Sequence, residues 1–397
     1  MMKKLAGGLE MVPGYSYSAI KCGIRYKDRL DYGLIYSEKP CNAAGTFTVN
    51  KVTAAPVKLC RDRIDGAIHA ILVNSTNANA CTGSEGYSAA ETLTADMAKK
   101  LHTSESSILM SSTGIIGHQL PLSTMLKGHD LLVEGLDPAY GPEFSKAIMT
   151  TDTFPKSCAV SFDTSIGTFT IGGTAKGSGM IAPNMATMLA YILTDAPLEK
   201  SYLDKVFGEV VRTSFNALTI DGDMSTNDTA IILSPVSEKP LASPEDLASF
   251  EQALRTVAGS LSHMLVSDGE GVTKIVTIHV TGAASREDAD RAARTIANSA
   301  LVKTAFFGED PNWGRIAMAV GYSGAELIEE NLSISFGKIM VLKNGTPCLT
   351  ETKSLTQVME AKEITVTVDL GIGKNEFAML TTDFSYDYVK INAEYST

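Results

Sequence analysis

The apolar positions follow two different periods in turn along the chain. In "SAIKCGIRY" (18–26) they recur every second residue, as in a strand with one buried face. "AIHAILVN" (67–74) and the run from Met188 to Leu193 are continuous apolar stretches of strand length, and "SILM" (107–110) is a shorter one. Further strands are predicted at "TKIVTIHVTG" (273–282) and "ITVTVDLG" (364–371). Between these lie helical periods. "SAAETLTADMAKKL" (88–101) reads as a helix with lysines in its last turn, where they suit the helix dipole. Leu203, Val206, Phe207, Val210 and Val211 share one face at 3.6-residue spacing.

The clearest helix start is Ser243-Pro244-Glu245-Asp246, with a capping serine, a proline at the first position and acids in the first turn. It opens a helix whose Leu247, Phe250, Leu254, Val257, Leu261 and Met264 form a single stripe, read as core packing. Another helix is predicted over residues 286–299. Alternation of this kind predicts an α/β fold with sheets covered by helices and no marked linker. A smaller C-terminal α/β lobe is expected over residues 285–397.

Composition narrows the function. The net charge of −11 argues against nucleic acid or an anionic membrane surface as partner. No apolar run reaches the length that spans a bilayer. "MMKKLAGGLEMVPG" at the start lacks the apolar stretch of a signal peptide. The six cysteines (22, 41, 60, 81, 158 and 348) are scattered without a C-x-x-C pair, so reduced thiols and a cytoplasmic location are expected. The six histidines are equally scattered and no H-E-x-x-H occurs, so no zinc site is expected.

Candidate chemistry concentrates in "KGSGMIAPNMATMLAYILTDA" (176–196), where turn-forming residues lead through Thr187 into an apolar run. The glycines of "GGTAKGSG" (172–179) do not make a phosphate loop, because Lys176 precedes the last glycines rather than following them. "GYSGA" (321–325) misses the spacing of a serine nucleophile elbow by one residue. Thr187 itself is a weak nucleophile in mid-chain, since a hydroxyl needs a base. Cleavage of the Ala186–Thr187 bond would supply one, an α-amine whose ordinary pKa of about 7.7–8.0 suits general-base work. On the residues alone, the plain alternative stays open: Thr187 as a half-buried strand residue.

The segment "AKGSGMIAPNMATMLAYILTDA" (175–196) closely resembles the self-cleavage segment of the ornithine acetyltransferase family of arginine biosynthesis, also called bifunctional glutamate N-acetyltransferases. The likeness continues in order through "AGTFTVNKVTAAPV" (44–57), "VNSTNANACTG" (73–83), "SSTGIIG" (111–117) and "MTTDTFPK" (149–156). It extends through "SFNALTIDGDMSTNDT" (214–229), "SDGEGVTK" (267–274), "FFGEDPNWGRI" (306–316) and "YVKINAEYST" (388–397). It departs from the family pattern at Thr76, where glycine is more usual, and at Phe154, where arginine is.

The resemblance implies an α/β sandwich of the N-terminal-nucleophile kind, cut between Ala186 and Thr187 into chains 1–186 and 187–397. These are expected to stay together as two copies of each. It implies acetyl transfer from N-acetylornithine to glutamate through an acetyl-Thr187 intermediate, with no cofactor and with acetyl-CoA left open as a second donor. By the same resemblance Thr113 and Gly114 form the oxyanion pair. Thr150 (or, by register, Thr151), Lys176, Thr187, Glu270, Asn392 and Thr397 bind substrate. Two other classes remain: an N-terminal-threonine aminopeptidase or amidohydrolase that needs no glutamate, and a non-catalytic binding protein for acidic amino acids.

Overall fold

A computed structural model describes residues 1–182, 188–349 and 352–394. Among these residues the strands form two sheets. The first holds β1 (Met2–Leu5), β2 (Tyr15–Ile20), β3 (Tyr32–Phe47), β4 (Ile68–Asn74), β5 (Ile108–Ser112), β6 (Lys156–Thr164), β7 (Gly167–Lys176), β8 (Leu189–Thr194) and β9 (Thr229–Pro235). Its order is β1-β6-β7-β8-β9-β3-β4-β5, with β2 also paired to the long, bent β3. β7 and β8 are antiparallel, with Lys176 opposite Leu189, whereas β8 and β9 are parallel, with Leu189 opposite Thr229. The end of β7 and the start of β8 therefore lie side by side at one end of these interior strands, beside the start of β9.

The second sheet holds β10 (Ile275–Ala283), β11 (Ser333–Phe336), β12 (Ile339–Lys343), β13 (Thr346–Pro347), β14 (Glu363–Asp369) and β15 (Asn375–Thr382). Its order is β13-β12-β11-β14-β10-β15. It thus takes in β10, which lies before the lobe boundary expected at residue 285.

Helices cover both sheets as the patterns require. The helix Pro244–Ser267 is capped by Ser243, whose hydroxyl accepts from the Asp246 amide, and it packs on β6 and β7. Phe250, Leu254, Val257 and Leu261 of its stripe are fully buried, while Leu247 and Met264 are partly so. The helix Lys200–Arg212 buries all five residues of its predicted face in the same core. On the second sheet, the helix Arg286–Asn298 lies across β10 and β15. The helix predicted over 88–101 starts earlier, at Gly83, and ends at Lys100.

One expectation fails in part. The alternating run 18–26 is a strand only to Ile20. Beyond it the amides of Cys22 and Ile24 turn away from the ladder and donate to the Asp31 carboxylate at 2.7 Å each. Period-two spacing persists there without a neighbouring strand to use it. No helix among the described residues is long and apolar enough to cross a membrane.

Candidate active site

A cavity of about 350 Å3 opens where β5 and β7 end, and the residues lining it include Thr113, Gly114, Thr150, Thr151, Lys176, Glu270 and Asn392. Six residues assigned to the site by resemblance, from five separate stretches of chain, meet there. Ala186, Thr187 and Thr397 lie outside the described residues.

Thr113 follows β5 directly, is buried, and gives its own amide to Asn74 O at 3.0 Å. Thr113 and the next residue, Gly114, both line the cavity. The Gly114 amide has no hydrogen-bond partner among the described residues. Gly114 has a φ of 132°, and a Cβ there would sit 2.2 Å from the Thr76 carbonyl carbon. Only glycine lets the two backbones approach so closely. Thr76 holds a φ of 74°, a conformation glycine adopts more readily than a β-branched residue. That accounts for the glycine usual at this position in the family pattern.

Lys176, the last residue of β7, is buried, and its ammonium donates to Thr113 Oγ1 over 3.4 Å. Burial pulls its pKa down, while Asp152 pulls it up, Lys156 pushes it down, and Asp228 and Glu270 pull it up. Lys176 makes no salt bridge among the described residues, which leaves it able to take a substrate carboxylate. At the other side of the cavity Asn392 Nδ2 donates to Glu270 Oε2 at 3.0 Å. A Cβ on Gly179 would lie 2.3 Å from that same oxygen, so the missing side chain makes room for Glu270.

The loops carrying these groups are tied by a buried ionic cluster that sequence reasoning missed. Lys156 Nζ donates to Asp152 Oδ1 and to Asp268 Oδ2, both at 2.6 Å. Asp152 also accepts from the amides of Gly177, at 2.6 Å, and Thr150, at 3.0 Å. Asp268 accepts from the amide and the hydroxyl of Thr153. The Thr151 hydroxyl is engaged with Ser178 Oγ at 2.7 Å, and Ser178 O accepts from the Glu270 amide at 2.8 Å. One lysine thus fixes residues 150–153, 177–178 and 268–270 against each other.

The chain is also pinned on both sides of residues 183–187. Upstream, the amides of Met180 and Ile181 donate to Asp221 at 2.6 and 2.8 Å. Burial pushes the Asp221 carboxyl up to about 6 against the pull of these amides. Downstream, the Met188 amide donates to Asp228 Oδ1 at 3.1 Å, and its carbonyl accepts from Thr229 N at 3.1 Å. Asn227, next to Asp228, donates to Ser112 O and Ala78 O, which locks this corner to the end of β5. The cavity thus brings together a hydroxyl, a glycine backbone, a buried lysine and a carboxylate. Those are the parts an acyl transfer between amino acids needs.

Comparison with known proteins gives a consistent picture. The ArgJ family matches residues 16–397. The arginine biosynthesis bifunctional protein ArgJ of Geobacter sulfurreducens is 47% identical over 391 residues, covering 97% of this chain and 100% of that one. Its counterpart in Caldanaerobacter subterraneus is 42% identical over 404 residues and covers 100% of both. Among solved structures, ornithine acetyltransferase from Mycobacterium tuberculosis, complexed with ornithine, is 34% identical. That match covers 46% of this chain and 98% of the other, with a TM-score of 0.43.

Proposed function

The chain belongs to the ArgJ family, and from that premise we propose that it transfers acetyl groups from N-acetylornithine to glutamate, releasing ornithine for arginine biosynthesis. The observation that carries this reading is the gathering of Thr113, Gly114, Thr150, Lys176, Glu270 and Asn392 around one cavity, at the end of β7 where the connection to β8 begins. Ala186 and Thr187 lie within that connection.

The cycle starts when the Thr187 hydroxyl attacks the acetyl carbonyl and its own α-amine takes the proton. The oxyanion is held by the Thr113 hydroxyl and the Gly114 amide. Ornithine leaves with the proton, the acetyl group stays on Thr187, and the amine of glutamate then takes it by the same steps in reverse. Lys176 pairs the substrate α-carboxylate, a charge-assisted bond strengthened by burial. Glu270 and Asn392 meet the far end of the substrate, with Thr150 and Thr397 completing the pocket. No cofactor enters the cycle, and acetyl-CoA serves as a second donor. The enzyme works in the cytoplasm as two copies each of chains 1–186 and 187–397. The pairing of Ile171–Lys176 with Leu189–Thr194 supports the reading that the two chains stay joined in one sheet.

Intact mass under denaturing conditions should give two species, the second beginning at Thr187. Transfer from N-acetylornithine should then require glutamate, and adding acetyl-CoA should support glutamate acetylation without N-acetylornithine. A single uncut species, or release of acetate at the same rate with and without glutamate, would sink the reading. A sharper test concerns the oxyanion pair. Thr113→Val removes the hydroxyl donor at similar volume and should lower kcat by about 10²–10³-fold, the loss typical of one oxyanion donor, with little change in KM. An unchanged kcat would remove Thr113 from that role.

A further inference from the structure

The proposed cycle asks one cavity to take two different side chains in turn. Ornithine ends in an ammonium and glutamate in a carboxylate, while both carry the same α-carboxylate for Lys176. Among the described residues, the charged side chains lining the cavity are Lys176, Asp221, Asp223 and Glu270. The three acids suit the ammonium. They repel the second carboxylate of glutamate, which has to be met by a neutral donor instead.

Asn392 is one neutral group on that side, but its amide is already given to Glu270 Oε2 and to Tyr388 O, both at 3.0 Å. Tyr388 also lines the cavity, one turn earlier in the helix Tyr386–Glu394. Its ring stacks on Phe384 with centroids 5.0 Å apart, and the ammonium of the buried Lys303 lies 4.7 Å from the centre of the Phe384 ring. The Tyr388 amide donates to Ser385 Oγ at 3.2 Å, and that hydroxyl donates to Gly271 O at 2.6 Å. A Cβ on Gly271 would stand 2.4 Å from Tyr388 N, so this helix docks directly on the loop that carries Glu270. Ring and backbone of Tyr388 are both fixed. Its hydroxyl is hydrogen-bonded to the Asp221 carboxylate. Burial, and then the charges of Asp221, Asp223 and Glu270, push the phenol pKa up, so the hydroxyl keeps its proton across neutral pH.

We propose that Tyr388 is the residue that lets this cavity accept glutamate, its hydroxyl turning from Asp221 to donate to the side-chain carboxylate of the substrate. With ornithine in place, the same O–H stays on Asp221 and its oxygen accepts from the substrate ammonium. A hydroxyl serves both ends because it carries one donor and two lone pairs. Asp221 can release it, because the amides of Met180, Ile181 and Asp223 remain on its two oxygens. The inference deepens the acetyl-transfer reading and rests on it.

Tyr388→Phe keeps the ring on Phe384 and removes only the hydroxyl. In a ping-pong cycle, kcat/KM for the donor reports the first half-reaction and kcat/KM for the acceptor the second, so the two are read separately. The variant should lower kcat/KM for glutamate by about 10–100-fold, the range expected for one hydrogen bond to a charged group. For N-acetylornithine the fall should be no more than about threefold, the loss of one ordinary hydrogen bond, since the acids still face the ammonium. An unchanged kcat/KM for glutamate overturns the proposal. So does an equal fall for both substrates, or a variant that fails to fold, since either marks the hydroxyl as structural. A wild-type enzyme that releases acetate without glutamate, or that ignores N-acetylornithine, would defeat the underlying reading instead, a result visible before any variant is made.

Discussion

Thr187→Ala is expected to leave the chain whole at 397 residues and to lower acetyl transfer by at least about 10⁴-fold, as losing a covalent nucleophile does in other acyl-transfer enzymes. The two losses share one cause. Without the hydroxyl no ester forms at Ala186, so no amine is released. Without hydroxyl or amine nothing can carry or activate the acetyl group. Thr187→Ser keeps a hydroxyl and should still be cut. Intact mass and a transfer assay on the same sample check both effects. A Thr187→Ala chain that still splits, or still transfers, would show that the nucleophile is elsewhere. The variant also gives a single-chain background in which stability can be measured cleanly.

In that background, Lys156→Met should destabilise the fold by about 3–5 kcal/mol, the typical loss when one partner of a buried ion pair is removed. Lys156 is fully buried between Asp152 and Asp268, and methionine would fill the space without the charge. Burial alone would raise the Asp152 carboxyl. The charges of Lys176 and Lys156, the Lys156 hydrogen bond and the Gly177 amide together pull it down to about 2, against an ordinary 3.8. Its pKa is depressed on folding, so Asp152 contributes stability above the ordinary value, and that stability is lost as pH falls toward about 2. Removing Lys156 lets Asp152 take up a proton more easily. The stability gap between variant and parent should therefore narrow as pH falls through that window. Urea unfolding at neutral and acid pH measures this, and an unchanged neutral midpoint, or a gap that stays constant, would contradict it. Transfer by Lys156→Met in the Thr187 chain should also fall, because the three loops it ties carry Thr150, Lys176 and Glu270.

Much of the fold was legible because local signals agree with their surroundings. Ser243-Pro244 starts a helix on the strength of its own hydroxyl, and the stripe behind it needs only a sheet to cover. The run 18–26 misled because alternation describes a half-buried face but does not say whether a neighbour exists to pair with it. In the site, resemblance supplied the residues that face the cavity. It missed the ones that hold those residues in place. Lys156 and Asp268 are 112 positions apart and meet only through the sheet order, which no local period encodes. Asp221 and Asp228 stand in the quoted segment "SFNALTIDGDMSTNDT", but what they hold lies in the distant 180–188 stretch. Acids clustered with asparagines and threonines before an apolar run were the available signal.

The strand order has a consequence for how often this molecule can fold. If the chain is cut as proposed, β8 and β9, downstream of the cut, lie between β7 and β3, both upstream of it. A chain still in one piece assembles this interleaved sheet in a first-order process at any dilution. After the cut, the same sheet can be rebuilt only by two partners that find each other, so recovery becomes second-order and fades as concentration falls. The peptide bond is thus a scaffold used once. Its loss turns a reversible fold into one that lasts by its barrier to unfolding rather than by its ability to return.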